Sequence, residues 1–354
     1  MTISELIQDI QRSNNIKKHY ALVDAYLIND PQSIRNLFSE ILKEKNFFLK
    51  NWQLRALYSK IIKSTCISLG EIYIQLASYM FSKIERELDQ LRIGSYLAFA
   101  QDSSELIENL VHLNNKKLLI LVIHELISRG EDLSRNKHVL ELSKINGDSQ
   151  FKKLELFPLT QELSNTFPHY VKEGSSSSPS FGFAYDEEYL PINKTTRYNL
   201  TLRQNNLLEK GLSHWIDQSG GAVIGYNGYS NQDLTLNIFI TDLPEFSESR
   251  GIRVKQLNSS DAYCRIFDAI SKGAAYSSGE YGGVGRLKSW NTISQLIELQ
   301  SYNTNLEISL AMEAYNWYEF NTDSWFINEW CDFGIFCQNI KTGQFGLLAG
   351  TDTD

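Results

Sequence analysis

The chain has 354 residues, 42% of them hydrophobic and 21% charged, and its 34 basic and 42 acidic residues give a net charge of −8. This length is sufficient for two domains that each bury a core, and the composition is that of a globular rather than a disordered protein. The basic residues are scattered among acidic ones and form no positive stripe. This argues against nucleic acid as a partner, because such binding depends on neutralising phosphates.

Secretion and membrane insertion are not expected from the sequence. The N-terminus lacks a basic segment followed by an apolar core, the pattern of a signal peptide. The longest apolar run, 118–123, continues past His124 and Glu125 to 126–127 and is shorter than the roughly 20 residues that cross a bilayer. We therefore predict a cytoplasmic chain without a membrane partner. Its few cysteines are expected to be reduced and inert: Cys66, Cys264, Cys331 and Cys337.

Apolar residues recur at helical spacing through the first half and predict about eight helices before residue 150. Asp30 with Pro31 forms a helix start, and Asp102 with Glu105 forms a possible capping box. Helices of this length joined by short turns favour a helical-repeat array of the HEAT or armadillo kind, with a closed bundle as the alternative. Two of these helices are assigned the apolar positions Trp52, Leu54, Leu57, Tyr58, Ile61, Ile62, Ile72, Ile74, Leu76, Met80 and Phe81.

A serine-rich segment at 174–179 separates this helical half from a different pattern. Four consecutive serines contribute nothing to a core, and the flanking glycine and proline favour a linker or loop. The predicted organisation has an all-α helical-repeat-like domain over 1–170, a serine-rich linker or loop over 171–183, and an α+β domain over 184–354.

The second half combines strand and helix patterns. Strands, then helices, then a closing hairpin imply an α+β domain with a mainly antiparallel sheet and helices on one side. The predicted strands are 198–202, 222–226, 234–240, 333–337 and 345–349, the last two joined by a hairpin turn. The predicted helices are 260–271, 287–299 and 308–320.

A glycine-rich loop over 273–286 is the most informative motif. A dinucleotide-binding fingerprint follows a strand, whereas this loop follows a predicted helix, and a P-loop ends in Gly-Lys-Ser/Thr, whereas Gly285 precedes Arg286 and Leu287. One interpretation is a cradle of backbone N–H groups for an anion or peptide, with Arg286 as the charge. The other is a helix-to-helix connection in which several glycines adopt positive φ angles.

Polar and aromatic side chains cluster around this loop. Tyrosine and tryptophan beside arginine are typical of an interaction hot spot. Glu280 is alternatively a general base, although the sequence identifies no group for it to act on. The candidate binding residues are Tyr276, Glu280, Tyr281, Gly282, Gly283, Gly285, Arg286 and Trp290.

Other catalytic patterns are weak or missing from the sequence. Asp352 and Asp354 at the C-terminus are weak metal candidates, since paired carboxylates bind metals, but acidic termini are more often solvated tails. The histidines form no His-Glu-x-x-His motif, and no Gly-x-Ser-x-Gly elbow occurs. No motif calls for a cofactor, and we expect none.

From about residue 250 onwards the chain resembles an uncharacterised bacterial family of unknown function. The resemblance is carried by the loop Gly-Ala-Ala-Tyr-Ser-Ser-Gly-Glu-Tyr-Gly-Gly-Val-Gly-Arg-Leu-Lys-Ser-Trp and by the ending Leu-Leu-Ala-Gly-Thr-Asp-Thr-Asp. It implies a bacterial origin and a C-terminal module that accompanies a helical N-terminal half. It implies no activity and no catalytic residues.

Together these patterns favour a non-enzymatic cytoplasmic interaction protein. By analogy with acidic adaptor or immunity proteins, it would bind a basic protein partner through the helical surface and the glycine-rich loop. The alternative is an enzyme or ligand-binding domain that acts on a nucleotide or phosphorylated small molecule at the loop, with Glu280 or the terminal acids supplying acid–base or metal chemistry. A third interpretation, in which the loop only packs the domains together, predicts a buried Arg286.

Overall fold

A computed structural model describes residues 3–12, 15–44, 52–144, 155–163, 188–193, 200–274, 277, 279–299, 304–326 and 332–352. The chain divides into two compact units. The first comprises Met1–Leu126 and Asn136–Leu142, and the second comprises Ile127–Arg135 and Ser143–Asp354. The division lies before the predicted boundary because Gln161 and Glu162 pack inside the second unit. The serine-rich segment over 171–183 lies outside the described residues.

The first unit is helical, as the 3.6-residue periodicity predicts. Its helices end at short turns, and Asp30 and Asp102 cap two of them as expected from the sequence. None of the helices that the structure describes is long and apolar enough to cross a membrane. The helices are α1 Ile3–Arg12, α2 Ile16–Asn29, α3 Pro31–Lys43, α4 Trp52–Ile67, α5 Glu71–Lys83, α6 Glu87–Ala100, α7 Ser103–His112, α8 Lys116–Ser128 and α9 Lys137–Ser143.

Helices α4 and α6 show how this unit is stacked. In the first half of each helix, the Tyr58 hydroxyl of α4 donates to Asp89 of α6 over 3.2 Å. At their ends, the amide of Gln101, just after α6, donates to the Cys66 carbonyl of α4 over 3.0 Å. The two helices are therefore parallel and adjacent, with the antiparallel α5 between them in the chain. Helices one to three positions apart in the chain account for the main contacts. The assignment to the HEAT or armadillo type stays a prediction.

The second unit is built on a seven-stranded antiparallel sheet, as the period-two pattern predicts for this half. The strand order is β1-β4-β5-β6-β7-β3-β2, so the predicted hairpin, β6 with β7, lies at its centre. The strands are β1 Leu190–Pro191, β2 Leu200–Gln204, β3 Ala222–Ser230, β4 Gly251–Leu257, β5 Asn316–Thr322, β6 Phe333–Gln338 and β7 Gln344–Thr351. Its helices are α10 Asn206–Lys210, α11 Ser213–Ser219, α12 Leu236–Phe239, α13 Ser259–Ser271, α14 Gly282–Leu296 and α15 Asn305–Met312.

The two faces of the sheet bury different partners. The longest helices of the unit, α13 and α14, pack on one face, as predicted. On the other face, Phe336 and Phe345 lie 5.2 and 5.8 Å from the ring of Phe239, which belongs to the short helix α12. On the same face, the ring of Phe320 lies 5.8 Å from that of Phe246, which belongs to a short 3-10 turn. This second face is an aromatic core covered by short helical turns rather than by long helices.

Two predicted elements are wrong. The segment 234–240, predicted as a strand, forms α12 and a short 3-10 turn, because Leu236, Phe239 and Ile240 face the sheet at helical spacing. The helix predicted over 308–320 ends at Met312, and 316–322 forms the inner strand β5. Alternating aromatic residues favour a strand in this position, because each face of the pleat packs against a different layer.

Asn227, on the strand β3 next to the edge of the sheet, connects the sheet to helix α14. Its side-chain amide donates to the carbonyls of Gln295 and Leu296 over 3.1 and 2.9 Å, and its Oδ1 accepts from Asn205 over 2.6 Å. The side chain is buried. These bonds satisfy carbonyls at the end of α14 that have no partner within the helix.

We predict that Asn227→Ala lowers the free energy of unfolding by about 2–3 kcal/mol, because it removes the amide donor from the buried Leu296 carbonyl and the acceptor from the Asn205 amide. The matched control is Asn109→Ala, since the exposed Asn109 amide also donates to a helix carbonyl, that of Glu105. Its effect is expected to stay within about 0.5 kcal/mol. Urea denaturation measures both values, and equal effects would contradict the assigned role of Asn227.

Candidate functional site

The glycine-rich loop joins α13 to α14, so it is a helix-to-helix connection. Helix α14 begins at Gly282 rather than at the predicted residue 287, which places Gly282, Gly283 and Gly285 in its first turn. Gly279 has a φ of +60°, and a Cβ atom there would lie 2.2 Å from the carbonyl oxygen of Ser271. Only glycine fits this close approach of the loop to the end of α13.

Arg286 is buried inside the second unit with no exposed surface. Its Nε donates to Glu162 Oε1 over 2.5 Å and its Nη2 donates to Glu162 Oε2 over 2.8 Å, a bidentate ion pair. The remaining donors reach backbone carbonyls, that of Glu155 over 2.6 Å and that of Phe157 over 3.0 Å. The guanidinium therefore holds the segment 155–163 against α14.

The Glu162 carboxylate is satisfied by further donors. Its Oε1 also accepts the hydroxyl of Tyr263 over 2.9 Å and the indole N–H of Trp290 over 3.1 Å. Its Oε2 also accepts the backbone N–H of Leu159 over 2.7 Å. Helices α13 and α14 supply three of the side chains, so the buried carboxylate is the point at which these elements meet. We call Glu162, Arg286, Tyr263 and Trp290 the Glu162 network.

The ionisation of this network follows from burial and charge. Burial lowers the pKa of Arg286, but the adjacent Glu162 carboxylate, its hydrogen bonds and Tyr263 raise it, and the net shift is upward. Burial and Glu162 together raise the pKa of the Tyr263 hydroxyl well above its ordinary value. Arg286 stays charged and Tyr263 stays a hydrogen-bond donor at all physiological pH values.

The candidate binding residues are therefore largely interior. Tyr281 is only 4% exposed, and Trp290 is fully buried. Gly282, Gly283 and Gly285 are buried as well. Tyr276 lies outside the described residues. A buried Arg286 is what the packing interpretation of the loop predicts, and its donors point to groups within the second unit instead of to a ligand.

Glu280 has a defined partner in the structure. Its Oε1 accepts Lys288 Nζ over 2.5 Å and lies 3.8 Å from His214 Nδ1. Lys288 extends from the second turn of α14, and His214 lies on α11. The carboxylate thus takes part in an ion pair at the edge of the loop, where its side chain is 20% exposed. These contacts give Glu280 a structural role. They identify no substrate group from which it would take a proton as a general base.

Of the two C-terminal acids, Asp352 has polar partners within the fold. The Asp352 carboxylate is buried and accepts the Ser219 hydroxyl over 2.7 Å, while its backbone N–H donates to Asp332 over 3.0 Å. Asp354 lies outside the described residues. Among the described residues, no group of three or more His, Cys, Asp or Glu side chains is arranged to hold a metal ion.

A second set of buried charges lies between α13 and β5. Asp268 pairs with Lys272 over 2.9 Å, and Glu319 pairs with Arg265 over 3.4 Å. The two acids and two bases balance, so the set presents no net charge to a ligand. Burial raises the pKa of Asp268 to about 6 from its ordinary value of 3.8, although Lys272 and Arg265 oppose the shift.

The family of the chain follows from comparison with known proteins. A family model described as "Family of unknown function (DUF6183)" matches residues 28–354. The chain belongs to this family. The match extends the resemblance seen in the last third to nearly the whole length, including most of the helical unit. The comparison with curated proteins gave no match, and neither did the comparison with solved structures.

Sequence reasoning missed a surface on the helical unit. Five large apolar side chains at one end of this unit are exposed rather than buried. We call them the apolar end surface: Ile28 at 78% exposure, Leu69 at 71%, Ile72 at 48%, Phe99 at 47% and Ile67 at 39%. Ile72 had been assigned to the apolar stripe of its helix, and the structure instead places it on this surface.

Hydrogen bonds from two side chains, Gln101 and Tyr73, connect the chain segments that carry the apolar end surface. Gln101, just after α6, donates to the carbonyls of Cys66 and Ser68 and accepts the backbone N–H of Gly70, which joins the end of α6 to the α4–α5 turn. Tyr73, in the first turn of α5, donates to the carbonyl of Leu27 over 2.8 Å, which adds the end of α2. The apolar end surface therefore comprises residues from α2, α4, α5 and α6.

The charged residues in or beside these turns are acidic. Asp30, Glu71 and Asp102 begin the helices that start here, and Glu105 follows in the first turn of α7; all four are exposed. The surface thus combines apolar side chains with a negative border. The sequence signal available for it was the set of apolar positions Ile67, Leu69 and Ile72, which continues across the turn at Gly70 instead of ending with the helix.

We predict that the Glu162–Arg286 pair is strongly coupled. Arg286→Met leaves a buried carboxylate without its counter-ion and is expected to cost about 3–5 kcal/mol in the free energy of unfolding, and Glu162→Gln is expected to cost a similar amount. The double variant should cost much less than the sum, because neither charge is then left alone. Urea denaturation of the four proteins measures the coupling. Strictly additive effects would contradict the assigned pair.

We also predict a pH dependence from Asp268. In the unfolded chain this carboxyl titrates near 4, whereas its folded pKa is about 6. Between these values the folded state binds more protons, so the free energy of unfolding falls as the pH rises. Asp268→Asn removes this effect and should gain about 3 kcal/mol relative to the unmodified chain between pH 4 and 6.5. Urea denaturation across this range checks the rise, and a constant difference would contradict it.

Proposed function

We propose that this protein is a non-enzymatic interaction protein of the adaptor or immunity type, which binds a protein partner through the helical unit. The observation that carries the proposal is the apolar end surface, where five large apolar side chains share one end of the unit and Ile28 and Leu69 are more than two-thirds exposed. Exposed apolar groups gathered in one place commonly mark interaction sites, because burying them against a partner is favourable.

The charge around this surface indicates the kind of partner. Asp30, Glu71, Asp102 and Glu105 lie at its border, and the whole chain carries a net charge of −8. A partner with an apolar contact centre surrounded by lysine and arginine would complement both features. Long-range attraction between such surfaces speeds association and weakens as salt increases. We therefore infer a basic protein as the occupant.

The glycine-rich loop does not take part in this proposal. Arg286, Tyr281 and Trp290 are buried, and Arg286 donates to Glu162 and to backbone carbonyls. An enzyme acting on a phosphorylated ligand at the loop would need the guanidinium to reach that ligand. The cytoplasmic location belongs to the proposal as well: the thiols of Cys66 and Cys337 are buried and reduced, in keeping with a reducing compartment.

The test compares two variants of the apolar end surface. Leu69→Asp with Ile72→Asp replaces its exposed apolar groups by charges, and an acid in the first turn of α5 is compatible with the helix. The matched control is Trp52→Asp, because Trp52 is 52% exposed and lies at the opposite end of α4 from Ile67. Tagged chains capture partners from lysate of the native cells, and the captured protein is then purified and titrated.

We expect the unmodified chain and Trp52→Asp to bind one basic protein with similar affinity. The double variant is expected to bind it at least about tenfold more weakly, since hot-spot losses commonly exceed 1.4 kcal/mol. Binding should also weaken as the salt concentration is raised. The proposal is wrong if the double variant retains full affinity, if no protein is captured, or if the captured partner is acidic.

A further inference from the structure

We propose that the helical unit also carries a phosphate-binding cleft, at the end opposite the apolar end surface. The cleft lies between the first two turns of α4 and the first two turns of α6 and has a volume of about 290 Å³. Its polar lining comprises Arg55, Tyr58, Ser59, Arg86, Asp89 and Arg92. This site is independent of the proposed protein-binding function.

The buried Asp89 carboxylate contacts three of the side chains that line the cleft. It is 1% exposed and accepts the Tyr58 hydroxyl over 3.2 Å. Arg92 Nη1 lies 3.2 Å from its carboxylate, and Arg86 Nη1 lies 4.0 Å from it. A buried carboxylate that holds two arginines restricts their side chains before any ligand arrives. Less conformational entropy is then lost when an anion binds.

Positive side chains outnumber negative ones in the lining of the cleft, which includes three arginines and one carboxylate. Arg55 is exposed, and within the described part of the chain it has no hydrogen bond or ion pair. Glu85 and Glu87 flank Arg86 in the sequence, but both are exposed and neither lines the cleft. This differs from the balanced acids and bases between α13 and β5, where no charge is left for a ligand.

The residue types point to a phosphate group. The planar guanidinium of arginine presents paired N–H donors that match the oxygens of phosphate, and the Ser59 hydroxyl adds another donor. A phosphate group would bring negative charge to a lining in which arginines outnumber carboxylates and Arg55 is exposed. A nucleotide base would need an apolar or aromatic wall, whereas the apolar lining is limited to Ala56 and the buried ring of Tyr58. The ligand is therefore free phosphate or the phosphate group of a small molecule.

The experiment is a calorimetric titration of the full chain at constant ionic strength. One arm uses inorganic phosphate and the other uses glycerol phosphate, which separates the free ion from a phosphate monoester. The variants are Arg55→Ala and Arg86→Ala. The control is Arg35→Ala, because Arg35 is an exposed arginine of the same unit that stacks 4.1 Å from the Tyr79 ring, outside the cleft. Circular dichroism confirms that each variant is folded.

We expect one site that binds at least one of the two ligands. Arg55→Ala should raise its Kd about tenfold, as expected when a charge-assisted hydrogen bond is removed, while Arg35→Ala changes it less than about twofold. If both ligands bind equally, the site recognises phosphate groups in general. If only inorganic phosphate or only glycerol phosphate binds, the site is specific for the free ion or for a phosphate monoester, respectively. Absence of binding by the unmodified chain, or an unchanged Kd in Arg55→Ala, overturns the proposal. Since Arg55 is remote from the apolar end surface, either result leaves the partner test unaffected.

Discussion

The buried ion pair between Glu162 and Arg286 is the interaction on which the second unit depends. Two charges removed from water are costly, and attraction alone rarely offsets that cost unless hydrogen bonds satisfy the remaining atoms. Here Tyr263, Trp290 and the Leu159 N–H complete the carboxylate. Residues 155–163, α13 and α14 are consequently fixed to one another at a single point. The first turn of α14 packs closely against α13, since a Cβ atom at Gly285 would lie 2.8 Å from the Cβ atom of Ser271.

The anion binding predicted for Arg286 of the glycine-rich loop occurs within the chain itself. A positive charge and neighbouring donors do surround an anion, and the anion is the carboxylate of Glu162, 124 residues before Arg286 in the chain. No local pattern connects two residues so far apart, because the pairing is created by the tertiary fold. The residue types at the loop therefore indicated that Arg286 binds an anion. The sequence alone could not show whether this anion is a carboxylate of the chain or a ligand.

The fold could be predicted where periodic segments are long. Helical spacing in the first half and the hairpin of β6 and β7 were recognisable from the sequence, and the α+β class is confirmed. Short segments were ambiguous: 234–240 is apolar at spacings that suit either a strand or a helix, and 316–322 continues directly from α15. In both cases the secondary structure depends on packing with the sheet. Phe239 covers one face of the sheet as part of a helix, and Phe320 belongs to a strand within it.

The apolar end surface was not predictable for a related reason. Periodicity assigns an apolar residue to the core whenever it falls on the helix stripe, as it did for Ile72, but burial also requires a neighbour beyond the end of the helix. Ile67, Leu69 and Ile72 lie at a turn, where the stacked helices stop and no described element covers them. Exposure at this position therefore depends on the stacking of α2, α4, α5 and α6, which only the structure provides.

Parallel stacking of α4 and α6 also determines how the two surfaces of the helical unit are related. Because both helices run in the same direction, their first two turns meet at the arginine cleft and their last turns meet at the apolar end surface. Arg55 and Ile67 are 12 positions apart on α4, or about 18 Å along its axis. A phosphate group at one end would not obstruct a protein at the other. Any influence of one on the other would have to pass through the helices that carry both surfaces, in which the buried Asp89 contacts the arginines of the cleft.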